Sequence, residues 1–252
     1  MSVVRVSAGG DDDVVPPAWT DNPLRLIWSD MRLFWANIGC LFGVMVPGPA
    51  DKLDELYLSP INMLTIAIHA FLVVYQLIYL ALIPMAVICQ IPAAWVLVFC
   101  TVGFLFNKAV CFFLNGPAVL DSTVPLPAEE QHPDEAWIFL NGVSVGSVWL
   151  QANVNRLSMT FRRPVRGVHN PTDGIVFDLI QCIIERNFSY STQDVREAYR
   201  QIKSALIKDQ YKKVVLILHS QGGIQGSLII DWLLSEVNLR IAIVTSIESL
   251  AD

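Results

Sequence analysis

Residues 61–114 are almost free of charge, and this stretch constrains the fold more than any other part of the chain. Lys108 is its only formal charge, and His69 is the only other residue of the His, Asp, Glu, Lys and Arg set. A helix crosses a bilayer with about 20 consecutive apolar residues. Residues 61–83 and 93–114 each reach that length. The sequence therefore predicts two membrane-spanning helices, because a soluble core of this length would carry more charge.

The break between the two predicted helices is short. Pro84 and then Gln90-Ile91-Pro92 interrupt the apolar pattern. A lipid-exposed loop cannot leave its backbone groups unpaired, so we expect a tight turn that closes a helical hairpin. One bent span followed by a buried helix is the alternative that the pattern leaves open.

Basic residues flank the hairpin on one side. Arg25, Arg32 and Lys52 precede it, whereas the predicted turn has no Lys or Arg. Cytosolic loops carry the excess of Lys and Arg, so both ends of the hairpin are predicted to face the cytosol. Lys108 is expected to reach toward the headgroups, and His69 to hydrogen-bond between the helices. The sequence thus indicates an integral membrane protein and leaves the identity of the membrane open.

Composition divides the rest of the chain into further regions. Residues 1–57 begin with a small, acidic, proline-containing segment that we expect to be disordered, and they include an apolar run over 33–46 that is too short to cross a bilayer. That run is predicted to be an interfacial or re-entrant helix, with a packed soluble helix as the alternative. The hairpin occupies 58–116, a linker with four prolines occupies 117–135, and the remaining domain occupies 136–252.

The C-terminal domain alternates between strand and helix patterns. Strands are predicted over 137–140, 164–168, 214–218 and 241–245, and helices over 147–161, 174–185, 192–208 and 222–236. Such alternation is typical of α/β proteins, in which helices cover a mostly parallel sheet. The predicted fold class is therefore α/β, with a partial, mostly parallel sheet preceded by a transmembrane helical hairpin.

The segment from Leu218 to Gly222 lies between the third of these strands and the helix that follows it. A nucleophile elbow, G-x-S-x-G, has this context, because a tight turn lifts the serine hydroxyl above the sheet edge at the positive end of the next helix. Gly222 occupies the second small-residue position of the motif, but Leu218 occupies the first. Ser220 is the candidate nucleophile, and a glycine-rich turn with a capping serine is the alternative.

A second turn follows an earlier strand of the same domain. It reads Asn141-Gly142-Val143. In α/β-hydrolases the amide after the nucleophile and an amide from a loop after an earlier strand hold the oxyanion. Gln221, Val143 and Gly142 are therefore the candidate oxyanion residues.

Several segments, taken in their order along the chain, carry a resemblance to a known family. They are FLNGV at 139–143, WLQ at 149–151, RPVRGVHN at 163–170, FDLI at 177–180, TQDVREAY at 192–199 and KVVLILHSQGG at 213–223. From about residue 56 to about residue 234 the chain resembles a fungal family of membrane-anchored α/β-hydrolase-like proteins. The elbow of that family also has Leu before His, as Leu218-His219 has here. The resemblance implies a serine-hydrolase fold and no particular substrate.

The sequence after Ser220 departs from the hydrolase pattern. In α/β-hydrolases the acid and the histidine of the triad follow the nucleophile, but no histidine follows Ser220 here. The resemblance implies a divergent or truncated end over 243–252. Glu248 follows the last predicted strand, where some hydrolases carry the acid, but an exposed charge explains it better. His169 ends a strand on the carboxyl edge of the sheet and is the one histidine placed to approach Ser220 as a base, although another strand is expected to lie between them.

These features predict a membrane-anchored serine hydrolase-like protein that acts on an ester or lipid-type acyl substrate and is impaired by the missing acid and histidine. A non-catalytic, membrane-anchored interaction protein on the same fold is the alternative. The net charge of −6 does not favour a nucleic-acid partner. The five cysteines show no paired metal-ligand spacing, so neither a metal nor a cofactor is expected. The lipid bilayer is the expected partner, and the sequence leaves open which proteins, if any, bind the chain.

Overall fold

The computed structural model describes residues 22–39, 52–55, 57–127 and 132–236. These residues form helices and strands in the order α1 Pro23–Ala36, α2 Pro60–Ile88, α3 Ala93–Cys111, β1 Val119–Asp121, β2 Glu135–Leu140, α4 Ser147–Phe161, β3 Val165–Val168, α5 Ile175–Phe188, α6 Gln193–Leu206, β4 Lys213–Leu218 and α7 Gln221–Glu236. The predicted strand over 241–245 and Glu248 lie outside the described residues.

The four strands form one mixed sheet in the order β1-β3-β2-β4. The central strand β2 runs parallel to both β3 and β4, and Leu140 is in register with Val168 on one side and with Leu218 on the other. The edge strand β1 runs antiparallel to β3. The carboxyl ends of β2, β3 and β4 therefore lie at the same edge of the sheet. The predicted α/β class is confirmed, while an α/β-hydrolase fold stays a prediction.

Helices cover both faces of this sheet, which explains why its strands are mostly apolar. Ile138 and Leu140 of β2 pack on one face with side chains of α6 and α7, among them Ile202 and Ile229. Phe139 points to the opposite face, and the residues packed with it there are Val145, Trp149, Leu150, Val154 and Val165. Successive residues of β2 thus serve two separate cores, as the alternation of a strand requires.

The helices α2 and α3 form the predicted hairpin. They are long and apolar enough to cross a membrane, and only 17% of the most apolar window of each is buried, whereas a soluble core helix would be mostly buried. The hydroxyl of Tyr75 donates to the carbonyl of Gly103 at 2.7 Å, and that of Tyr79 donates to the carbonyl of Cys100 at 2.8 Å. A Cβ at Gly103 would overlap the ring of Tyr79. The first helix is longer than the predicted span 61–83, because α2 continues through Pro84 to Ile88.

One face of α2 is buried, and most of its residues are polar. The buried side chains recur every three or four residues and are Asn62, Thr65, His69, Leu72, Gln76 and Tyr79. Such spacing places them on one face of a helix. The indole Nε1 of Trp149 donates to Asn62 Oδ1 at 3.3 Å, and the same ring stacks on His69 with centroids 5.2 Å apart. The expectation that His69 bonds between the membrane helices is therefore corrected: its ring packs against α4 of the α/β unit.

A second set of contacts joins the hairpin to the loop between β3 and α5. The side chain of Asn107 donates to the backbone carbonyl of Asp173 at 2.9 Å. Gln76 also donates to that carbonyl and accepts from the amide of Val176 at 3.2 Å. The Lys108 ammonium lies 2.7 Å from a carboxylate oxygen of Asp173. Lys108 therefore pairs with the α/β unit, in contrast to the expectation that it reaches toward headgroups.

Two elements differ from the sequence predictions. The first helix begins at Pro23, where the Asn22 side chain accepts from the amide of Leu24 at 2.9 Å, and it ends before most of the predicted segment 33–46. Residues 40–46 of that segment lie outside the described residues. The predicted linker 117–135 contains the strand β1, which the sequence did not indicate.

Candidate nucleophile elbow

Ser220 occupies a sharp turn between a strand and a helix. β4 ends at Leu218 and α7 begins at Gln221, so only two residues separate them. The backbone of Ser220 has a φ of +54°, in the left-handed region that residues with a Cβ adopt uncommonly. The amide of Gly222 closes the turn by donating to the carbonyl of His219 at 2.9 Å. A strained, exposed serine at this position is the local geometry of a nucleophile elbow.

Glycines allow the turn to lie close to β2. A Cβ on Gly222 would lie 2.6 Å from the carbonyl oxygen of Leu140, so the first turn of α7 rests directly on the end of that strand. A Cβ on Gly142 would lie 2.8 Å from the Cβ of Ser220. The loop after β2 therefore touches the candidate nucleophile, and three of the predicted site residues, Ser220, Gln221 and Gly142, come together at the carboxyl edge.

The departure from the motif at Leu218 has a structural explanation. In G-x-S-x-G the small residue two positions before the serine lets the helix approach the strand. Here the side chain of Leu218 lies against Gly226, in the second turn of α7. The small residue that this close approach requires is therefore Gly226 on the helix, whereas position 218 on the strand carries a leucine.

The backbone amides that could hold an oxyanion are free of competing bonds. Within the part of the chain that the structure describes, neither the amide of Gln221 nor that of Val143 donates a hydrogen bond. The next residue of the loop, Ser144, has a φ of +59°, and its amide donates to Asp178 Oδ2 at 2.8 Å. The loop that carries Val143 is thus fixed in place by a buried carboxylate.

Asp178 anchors two loops of the carboxyl edge. Besides the bond from Ser144, its carboxylate accepts from the Thr172 hydroxyl at 2.6 Å and from the amide of Asp173 at 2.8 Å. Burial raises the pKa of this carboxyl to about 6, even though the three donors favour its ionised form. Asp178 therefore positions the loops after β2 and β3 relative to each other.

A second buried carboxylate, that of Glu185, fixes the side chain of Gln221 in the elbow. Glu185 accepts from Gln221 Nε2 at 3.1 Å, and Gln221 Oε1 in turn accepts from Asn170 at 2.8 Å. The other side chains that donate to Glu185 are Gln181, Thr192 and Gln225. Sequence reasoning missed this network. The only local signal was the pair Gln221 and Gln225, which lie four residues apart on α7.

His169 is turned away from the elbow. Its Nε2 lies 3.2 Å from the carbonyl oxygen of Val145, and burial lowers the pKa of its ring. Strand β2 separates its strand β3 from β4, as expected. Among the described residues no side chain forms a hydrogen bond with Ser220. His219 is exposed beside Ser220 and contacts the Gly142 side of the turn. The role of His169 as the base stays a prediction that this geometry does not favour.

The candidate site therefore consists of the Ser220 turn, the amides of Gln221 and Val143, and the two carboxylates that position them. An open apolar concavity exists elsewhere, at the tip of the hairpin, where it is lined by Val87, Ile91, Ala93, Val96, Leu97 and Cys100. It shares no residue with the elbow. No protein-family model, curated protein or solved structure matches the chain.

Proposed function

We propose that the chain is a membrane-anchored protein with serine-hydrolase chemistry at Ser220, directed at an ester or lipid-type acyl substrate. The observation that carries the proposal is the left-handed turn of Ser220 at the start of α7, directly beside the Gly142 loop. A capping serine does not need this conformation, because N-cap residues have β-region backbone angles. The strain is therefore better explained by a need to expose the hydroxyl.

The proposed reaction is acyl transfer. The Oγ of Ser220 forms a bond to the acyl carbonyl carbon, and the carbonyl oxygen becomes an oxyanion held by the amides of Gln221 and Val143. The bond to the alcohol then breaks as the alcohol takes a proton, and water releases the acid in a second, equivalent step. Both steps need a base that accepts the proton of the attacking hydroxyl.

That base is not among the groups in contact with Ser220. No described residue accepts the Ser220 proton, and His169 bonds to Val145 instead. We therefore propose that this 252-residue chain is impaired, with reactivity lower by several orders of magnitude than that of a complete triad. The same observation favours the second candidate function, a non-catalytic interaction protein on this fold.

The membrane part of the proposal rests on the hairpin. Apolar side chains cover most of α2 and α3, and few of them are buried. Both ends of the hairpin lie on one side of the membrane, and the basic residues Arg25, Arg32 and Lys52 favour the cytosol. The hairpin contacts the loop at Asp173, which belongs to the carboxyl edge that carries Ser220. The hairpin thus contacts the same edge of the sheet as the elbow, which fits an acyl substrate of lipid type.

Labelling with a fluorophosphonate probe tests the chemistry. We expect slow labelling of the full chain that added imidazole accelerates, because imidazole can supply the missing base. Ser220→Ala should abolish the labelling, whereas Ser227→Ala, on the same helix, should leave it unchanged. Absence of any Ser220-dependent labelling in imidazole would refute the hydrolase proposal and favour the interaction protein. Rapid labelling without imidazole would contradict the impaired state, and His169→Ala would then show whether His169 is the base.

Carbonate extraction tests the anchoring independently. We expect the full chain to remain with the membrane pellet, since apolar helices resist extraction. A glycosylation acceptor placed at residue 130 should stay unmodified if the α/β unit is cytosolic. Release into the supernatant would contradict the anchoring, and glycosylation at residue 130 would contradict the orientation.

A further inference from the structure

We infer that the hairpin enters a single leaflet and does not emerge on the opposite side of the membrane. The chain would then be a monotopic protein whose partner is one face of a phospholipid bilayer, in contrast to the two full spans that length alone predicts. This inference rests on the proposed membrane anchoring and is independent of the chemistry at Ser220.

The first argument is that much of α2 is already occupied by the α/β unit. Its buried face is bonded or stacked against that unit from Asn62, which accepts from Trp149, to Tyr79, whose ring lies 6.1 Å from that of Phe177. Gln76, which lies between them on the same face, donates to the backbone carbonyl of Asp173. A crossing helix would have to break these bonds, and each buried polar group left unpaired costs about 1–3 kcal/mol.

The second argument is charge. The Lys108–Asp173 pair joins the hairpin to the α/β unit, with side chains 49% and 25% exposed. Arg186 on α5, whose side chain is 54% exposed, pairs with Asp30 on α1. If residues 62–79 were inside the hydrocarbon core, the unit packed along them would carry these charges toward it, and charges there are expensive. The docked half of the hairpin therefore stays at the level of the headgroups, and its outward apolar side chains, such as Leu64 and Phe71, lie along the membrane surface.

The third argument is the length of what remains. Beyond Tyr79, α2 continues only to Ile88, which is a rise of about 13 Å at about 1.5 Å per residue. The helix α3 lies alongside this part of α2, since the hydroxyl of Tyr79 donates to the carbonyl of Cys100. The ends of the two helices therefore extend together beyond the α/β unit. The hydrocarbon core of a bilayer is about 30 Å thick, so one leaflet accounts for about 15 Å of it. The free tip matches one leaflet and falls short of two.

The surface of the tip fits lipid. Val87, Ile88 and Leu97 are 66%, 72% and 67% exposed. An exposed, apolar tip of this kind is the surface expected of an element that enters one leaflet.

Cys89 makes the inference testable without a new label, because it lies in the turn at the tip and is exposed. Microsomes that contain the full chain are treated with a membrane-impermeant maleimide in three states: intact, opened by a pore-forming toxin, and dissolved in detergent. Mass spectrometry of the Cys89 peptide gives its alkylation in each state. Ser227→Cys on α7 reports the side on which the α/β unit lies.

A variant with a longer hairpin is the control for a hairpin that crosses the whole bilayer. Insertion of about eleven leucines after Leu82 and again after Val98 lengthens each arm by about 16 Å. In this variant Cys89 should reach the opposite aqueous phase. The native chain should instead show Cys89 alkylated from the side of Ser227→Cys, or only after detergent. Alkylation of native Cys89 as soon as the toxin opens the far compartment would overturn the inference.

A second measurement uses droplets of triolein covered by a phosphatidylcholine monolayer. A monolayer has no second aqueous face, so a hairpin that enters one leaflet should bind to it. The lengthened variant should bind at least tenfold less, because its tip needs a far headgroup layer. Equal exclusion of both chains from droplets would overturn the single-leaflet inference, whereas release of the native chain by carbonate would contradict the anchoring itself.

Discussion

Leu218 and Gly226 fit against each other across the strand and helix of the elbow. A Cβ built on Gly226 would lie 2.4 Å from Cδ1 and 2.7 Å from Cδ2 of Leu218. The leucine fills the space that a residue with a side chain at 226 would need. An elbow with a large residue before the serine is therefore possible, because the helix supplies the small residue that the strand lacks.

A double-mutant cycle should reveal this pairing. Gly226→Ala should lower the free energy of unfolding by about 1–3 kcal/mol through overpacking. In the background of Leu218→Ala the same change should be neutral or stabilising, because the space is then open and alanine favours a helix by about 1 kcal/mol. Chemical denaturation of the full chain in mild detergent measures both values.

Gly223 is the matched control for this cycle, since a Cβ added there would meet nothing within 4 Å. Gly223→Ala should therefore preserve or raise stability in both backgrounds. Additive effects of Leu218→Ala and Gly226→Ala, with a coupling energy under about 0.5 kcal/mol, would show that the two positions do not share space.

The thiol pKa of a cysteine at position 220 should show how strongly the N-terminus of α7 stabilises a negative charge there. We expect the thiol pKa of Ser220→Cys to lie at least about one unit below the usual value of about 8.5, because the turn places the thiolate at the N-terminus of α7. The pH dependence of iodoacetamide alkylation measures this pKa. Ser227→Cys, exposed and farther along α7, should keep an ordinary pKa, and equal pKa values at the two positions would contradict the elbow geometry.

Asp178 should make stability depend on pH. Its folded pKa of about 6 lies above the ordinary value of 3.8, so the native state holds the proton longer than the unfolded state. This contribution is fully present below about pH 3.8 and is lost as the pH rises through 6, a change of about 3 kcal/mol at most. Unfolding measured from pH 4 to pH 7 should show this loss relative to Asp178→Asn. Parallel pH profiles of the two chains would contradict it.

Gln76 should stabilise the contact between the hairpin and the α/β unit. Gln76→Leu leaves the amide of Val176 and Oδ1 of Asn107 without the bonds they now make. We expect a loss of about 1–3 kcal/mol in the free energy of unfolding in detergent. Leu77→Val, at the adjacent outward-facing position, should change stability by less than about 1 kcal/mol. Equal losses in both variants would show that the contact does not depend on the amide.

Local patterns predicted most of the α/β unit. The helix over 147–161 and the strand over 214–218 were evident because periodicity and turn residues are local signals. The strand β1 was not predicted, since it has three residues and exists only through pairing with β3, far along the chain. The start of α1 was missed for a different reason: Asn22-Pro23 is a good helix start, but the apolar run over 33–46 drew the prediction downstream.

At the candidate site the turn was predictable and its support was not. Strand, turn and helix around Ser220 follow from adjacent residues. Glu185 and Gln221, in contrast, meet only because two helices pack together, and no spacing in the sequence joins them. The polar stripe of α2 was open to prediction, because Asn62, His69 and Gln76 recur seven residues apart in an apolar helix. Their regular placement on one face indicates a protein contact instead of lipid.

The shared bond between Gln76 and Asn107 has a consequence for biogenesis. The hairpin leaves the ribosome before the α/β unit exists, so the partners of its polar stripe at the Asp173 loop are not yet made. During that interval Gln76 Nε2 can still donate to Asn107 Oδ1, 2.9 Å away in the finished protein. The two arms thus hold their amides in a mutual bond while the remaining chain is translated. We therefore expect the hairpin to assemble before the domain that later packs against it.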